Sequence, residues 1–130
     1  MTVTQIVVYA IITLVALFYL RRLILVRRIG QYTPSQVAQK LNDPHHFLLL
    51  DVQTDSEHRS HHIKGAVHIP LQTLRRRAEE LNKYRNREII CYCRSGSRSL
   101  TAALQLHRLG YTAGNMKGGL AEWNFLHNTN

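Results

Sequence analysis

Glu88-Ile89-Ile90-Cys91-Tyr92-Cys93-Arg94-Ser95-Gly96-Ser97-Arg98 is the stretch on which the fold turns. Residues 89–92 form a continuous apolar run of the kind found in a short strand buried on both faces. Residues 99–109 (SLTAALQLHRL) read as a helix, closed by Gly110 as its C-cap. Cys93 therefore falls at a strand-to-helix turn. There successive backbone N–H groups converge on one point, and the positive end of a helix dipole favours an anion. The same field favours thiolate over thiol, which makes Cys93 a candidate nucleophile at neutral pH. Arg94 and Arg98 add bidentate donors for an anionic substrate.

The flanking sequence repeats the strand–helix alternation. Thr33-Pro34-Ser35-Gln36 is a capping box with proline in the first turn, and Asn42-Asp43-Pro44 ends the helix it starts. Phe47-Leu48-Leu49-Leu50 is a second buried-strand run and ends at Asp51. Thr54-Asp55-Ser56-Glu57 opens another short helix, and residues 66–69 form a strand stopped by Pro70. Residues 71–81 read as helical with Leu74, Ala78 and Leu81 facing inward, and residues 113–116 as a last strand. Gly118-Gly119 then leads into a terminal helix that holds Trp123 as a core residue. This pattern predicts an α/β fold with a parallel sheet covered by helices on both faces. Ligands bind such sheets beyond the C-terminal strand ends, where Asp51 and Cys93 both lie. At the end of its strand, Asp51 is expected to order the loop by accepting backbone N–H bonds.

Residues 3–20 (VTQIVVYAIITLVALFYL) carry no charge. As a helix, these 18 residues extend roughly 27 Å, close to a hydrocarbon core of about 30 Å. They read as one transmembrane helix, with Tyr9 and Tyr19 near the interfaces and Arg21 and Arg22 snorkelling. The apolar patch at residues 23–26, between two arginine pairs, continues the helix along the headgroup layer. A cleaved signal peptide fits less well, because residues 1–5 hold no basic side chain and Arg21-Arg22 stands where cleavage would fall. A soluble core helix fits less well because every face is apolar and no cap is evident. An interfacial helix would need a polar face. The division expected is residues 1–28 as anchor with a basic juxtamembrane segment and 29–130 as the globular domain. Arg21, Arg22, Arg27 and Arg28 all follow the span, so the C-terminal domain is expected on the cytoplasmic side, at a bacterial inner membrane.

The chain carries 17 Lys+Arg against 8 Asp+Glu, a net charge of +9, and the placement of these charges points to anionic lipid or a small anion. Arg75-Arg76-Arg77 lacks aromatic interleaving, so it reads as a solvated helix face near lipid headgroups and not as a nucleic-acid site. Cys91 and Cys93 are two positions apart, too close for an ordinary disulfide, and fit a reducing compartment. Cys91 reads as a small buried strand residue and less readily as a resolving thiol. The histidines, His45, His46, His58, His61, His62 and His68 among them, read as solvated loop residues, and no metal site is expected.

Three motifs together resemble the rhodanese-like domain. They are Leu48-Leu49-Leu50-Asp51-Val52 with Glu57 and residues 62–70, then the loop at residues 89–99, then Met116-Lys117-Gly118-Gly119-Leu120-Ala121-Glu122-Trp123. The resemblance implies a rhodanese-like parallel sheet and a sulfurtransferase that needs no cofactor. Cys93 would be the catalytic nucleophile, taking sulfane sulfur from a donor such as thiosulfate and passing it from a persulfide to a thiol, cyanide or protein acceptor. Substrate binding would fall to Arg94, Ser95, Gly96, Ser97, Arg98 and Ser99. Their amides would surround the persulfide, Gly96 would let the backbone pass close, and Ser95 and Ser97 would offer hydroxyls. Gln53, His61 and Lys64 depart from the family pattern, at the pocket rim. Four residues separate Cys93 from Arg98, a loop one residue shorter than in related cysteine phosphatases, and this favours a single terminal sulfur over a phosphoryl group. The alternatives are a membrane-tethered scaffold that uses the same domain to recruit a partner, and a phosphatase or arsenate reductase.

Overall fold

Residues 47–51 and 88–92 pair in parallel, with Phe47 beside Glu88, Leu50 beside Cys91 and Asp51 beside Tyr92. They are strands β2 (Phe47–Asp51) and β4 (Glu88–Tyr92) of a five-stranded parallel sheet. A computed structural model describes residues 1–127 and adds β1 (Gly30–Tyr32), β3 (Val67–His68) and β5 (Ala113–Met116), in the order β1-β5-β4-β2-β3. Apolar side chains alternate between two clusters. Leu48, Leu50, Ile89 and Cys91 pack on one face, and Leu49, Ile90, Tyr92 and Met116 on the other. This double burial explains why the strand sequences are apolar throughout.

The helices are α1 (Val3–Arg27), α2 (Pro34–Lys40), α3 (Asp55–Ser60), α4 (Leu74–Arg77), α5 (Ser97–Arg108) and α6 (Gly119–His127). The expected capping boxes are formed: the Gln36 amide meets the Thr33 hydroxyl, the Glu57 amide meets that of Thr54, and the glutamine and glutamate side chains reach back. The helix expected over residues 71–81 is broken. A 3₁₀ turn at Leu71–Thr73 precedes α4, and a 3₁₀ helix at Ala78–Tyr84 follows it. Leu74, Ala78 and Leu81 are still buried, and the three-residue step from Ala78 to Leu81 matches the 3₁₀ period.

Helix α1 is long and apolar enough to cross a membrane, with a mean hydropathy of 2.3 over its most apolar window, and no residue of it is buried. It does have a cap, contrary to the sequence reading: Thr2 accepts from the Gln5 amide and Gln5 answers the Thr2 amide. The patch at residues 23–26 is also divided. Leu23 and Ile24 are exposed, whereas Leu25 and Val26 turn onto the core cluster that also holds Ile29.

Candidate active site

Chain leaving β4 turns directly into α5, and Cys93 stands at that turn, wholly buried. Gly96 occupies the left-handed region (φ 100°), which bends residues 94–97 back over the sulfur. The Gly96 amide donates to Cys93 Sγ at 3.1 Å, and the Ser99 hydroxyl lies 3.4 Å from it. Burial pushes the Cys93 thiol up. The Ser99 hydroxyl and the Ser99, Gly96 and Ser95 amides outweigh that effect and hold it below the ordinary cysteine value. Among the described residues Cys91 has no such donors, and burial pushes its thiol well up.

The loop is braced from below by α6. The Leu120 amide donates to Cys93 O at 2.8 Å and the Ala121 amide to Arg94 O at 3.1 Å. Gly119 permits this approach, because a Cβ there would lie 2.5 Å from Cys93 O.

The two arginines have separate fates. Arg98 forms a bidentate pair with Glu57, both contacts 2.8 Å. This hydrogen-bonded pairing lowers the Glu57 carboxyl to about 2. Arg94 is exposed, makes no ion pair among the described residues, and lines a cleft of about 390 Å³ with Glu57, His61, Leu120 and Asn124. Ser95 and Ser97 are exposed and Ser99 is buried.

Asp51 is fully buried at the end of β2. The Gln53 amide donates to its Oδ1 at 2.8 Å, and the Tyr92 hydroxyl (2.9 Å), Gln53 Nε2 (3.1 Å) and His58 Nδ1 (2.7 Å) surround Oδ2. Its carboxylate therefore ties β2, β4 and α3 together behind the cysteine loop. Gln53, a departure from the family pattern, is thus a buried partner of Asp51.

The histidine reading needs correction. His58 and His68 are partly buried, and the His58 ring is stacked between those of His62 and His68, with centroids 3.9 and 4.0 Å away. Ligand atoms of Asp51, His58 and His68 lie within 4.8 Å of one another. The arrangement suits a metal poorly. His58 Nδ1 is engaged by Asp51 and His68 Nε2 by Gln53 O, and the 2° angle between the His58 and His68 planes sets their in-plane lone pairs side by side, not converging.

Asn115 was not singled out in the sequence. It is 3% exposed, and its Oδ1 lies 2.6 Å from Ser99 Oγ. Its Nδ2 donates to Gln31 Oε1 and Gly96 O, so Oδ1 receives the Ser99 hydroxyl proton. The available signal was a lone polar residue within Ala113-Gly114-Asn115-Met116, an otherwise small and apolar strand.

The model of the rhodanese-like domain matches residues 33–125. A sulfurtransferase of Allochromatium vinosum is 31% identical over 96 residues, 73% of this chain and 88% of that protein. The thiosulfate sulfurtransferase PspE of Escherichia coli is 30% identical over 73 residues, 56% of this chain and 70% of that protein. The crystal structure of a rhodanese-like domain protein from Staphylococcus aureus superposes with a TM-score of 0.67 at 28% identity, over 73% of this chain and 91% of that one.

Proposed function

The chain belongs to the rhodanese-like domain family, with sulfurtransferases among its relatives, and on that premise we propose that it is a membrane-anchored sulfurtransferase that carries sulfane sulfur as a persulfide on Cys93. The observation that carries this reading is the Cys93 sulfur held under the Gly96 amide, with its thiol acidified by the hydroxyl and amides of the loop. In the first step the Cys93 thiolate attacks the outer sulfur of thiosulfate. The new S–S bond forms as the old one breaks, and the bonding pair leaves with sulfite. In the second step an acceptor thiolate attacks the outer sulfur of the persulfide, and Cys93 leaves as thiolate. The persulfide is itself an anion, so the same amides serve both resting forms. Arg94, exposed at the cleft, is suited to draw in a dianionic donor. Arg98, locked to Glu57, shapes the loop.

Residues 3–20 supply the anchor in this reading; the arginines that follow them favour a cytoplasmic domain, and the compact anchor-plus-domain layout favours a bacterial inner membrane. Chemistry and sidedness are tested separately. The full chain in detergent, incubated with thiosulfate and weighed intact, is expected to gain one sulfur atom, and Cys93→Ser to gain none. A folded chain that takes up no sulfur from thiosulfate or a persulfide donor would falsify the transfer mechanism. A reporter fused to the C-terminus and active only outside the cytoplasm would reverse the sidedness.

A further inference from the structure

At the end of its uncharged span, α1 leans on α5 and leaves a cleft of about 530 Å³. Phe18, Arg21, Arg22 and Leu25 border it from α1 at positions i, i+3, i+4 and i+7, a single helical face. Arg108 and Gln105 border it from α5, and Arg75 from α4. Four arginines therefore line one cavity. Among the described residues no carboxylate lines it, and none of the four forms an ion pair. Gathering like charges is unfavourable unless an anion joins them.

The apolar side chains indicate which anion. Phe18 is 64% exposed and stands one turn before the arginines, within the uncharged span. A ligand that fits the whole cleft has a phosphate at the level of the arginines and a hydrocarbon chain running back along Phe18. We infer that this cleft binds an anionic phospholipid, its headgroup phosphate held by Arg21, Arg22, Arg75 and Arg108. The inference rests on the anchoring reading, because only a spanning α1 sets the cleft at headgroup depth. Such a lipid would fix the tilt of the domain, and with it the direction in which the Cys93 loop faces.

The full chain in neutral detergent micelles is examined by native mass spectrometry with three probes: phosphatidylglycerol, phosphatidylcholine and inorganic phosphate. One phosphatidylglycerol is expected to stay bound while phosphatidylcholine does not. In the double variant Arg75→Gln, Arg108→Gln, retention should fall by about 30-fold, from about 1 kcal/mol for each basic residue beside a headgroup. Arg59→Gln with Lys64→Gln removes the same charge from exposed sites outside the cleft and should leave retention unchanged. If the glutamine pair lowers the melting temperature, Arg75→Lys with Arg108→Lys replaces it and should lose phosphatidylglycerol only partly, since charge remains without the bidentate fork. Equal retention of the two lipids, equal loss in the remote pair, no loss in either cleft variant, or displacement by inorganic phosphate at matched concentration would each overturn the lipid site. Flotation of the chain with neutral vesicles tests the anchor independently. A chain left at the bottom of the gradient removes the anchoring reading, while selectivity in micelles still decides the cleft.

Discussion

At the scale of single residues, the Ser99 hydroxyl has one proton and two neighbours that compete for it. Asn115 fixes its own orientation through Gln31 and Gly96, and so presents Oδ1 to that proton. Cys93 Sγ needs the same proton once it is ionised. Opposite substitutions should separate the two roles. Ser99→Ala removes a donor and should move the pH midpoint of Cys93 alkylation upward, whereas Asn115→Ala frees the Ser99 proton for sulfur and should move it downward. Shifts of the same sign in both variants would mean that Asn115 only fills space. Glu57 offers a second pH test. Its carboxyl is depressed from 4.5 to about 2, chiefly by the hydrogen-bonded Arg98. A depressed carboxylate contributes stability that is complete above its unfolded value and is lost as the pH falls through the folded one. Urea melts should therefore show stability falling between pH 4.5 and 2 in the native chain, and less steeply in Glu57→Gln.

At the scale of elements, the Cys93 loop is held between the N-terminus of α5 and that of α6, and Gly119 is where the second contact is made. Its φ is 59°, and a Cβ there meets Cys93 O and Arg94 C and O at 2.5–2.6 Å. Gly119→Ala should cost more than about 2 kcal/mol by thermal melting, since the left-handed conformation alone costs an alanine about 1–2 kcal/mol and the loop backbone must also shift. An unchanged melting temperature would show that α6 does not brace the loop. What the sequence made legible follows from the same locality. Capping boxes at Thr33 and Thr54 depend on partners three residues away, and β2 and β4 show as apolar runs because both their faces are buried. Strand β1 had no such mark: Gly30-Gln31-Tyr32 becomes a strand only by pairing with β5, more than eighty residues away. The histidine stack was hidden for a similar reason, since His68 reaches His58 only when β3 aligns with β2. Asn115 was hidden because its partners come from two distant parts of the chain, Gln31 from β1 and Gly96 and Ser99 from the start of α5.

At the scale of the whole molecule, the apolar helix and the domain share a boundary that sequence alone drew as a clean cut between residues 28 and 29. Ile29 is 3% exposed in the main core cluster, and Leu25 and Val26 pack against it from the last turn of α1. Gln31 adds the acceptor that orients Asn115. The final turn of the helix is therefore also part of the domain's packing, and the strain of any tilt in α1 is passed to the core through these side chains. A chain beginning at Gln31 should fold with less stability than one beginning at Leu23, by about 3 kcal/mol: full burial of one aliphatic side chain is worth about 1.5–3 kcal/mol, and Leu25 and Val26 add partial burial. Domain stabilities are about 5–15 kcal/mol, so the shorter chain should show a lower denaturant midpoint with little change in slope. It should also alkylate at Cys93 with a lower pH midpoint, because a loosened Gln31 no longer fixes Asn115 against the Ser99 proton. Equal midpoints for the two chains would mean that the contacts of Leu25, Val26 and Ile29 contribute nothing to the fold, and that the helix is only a tether.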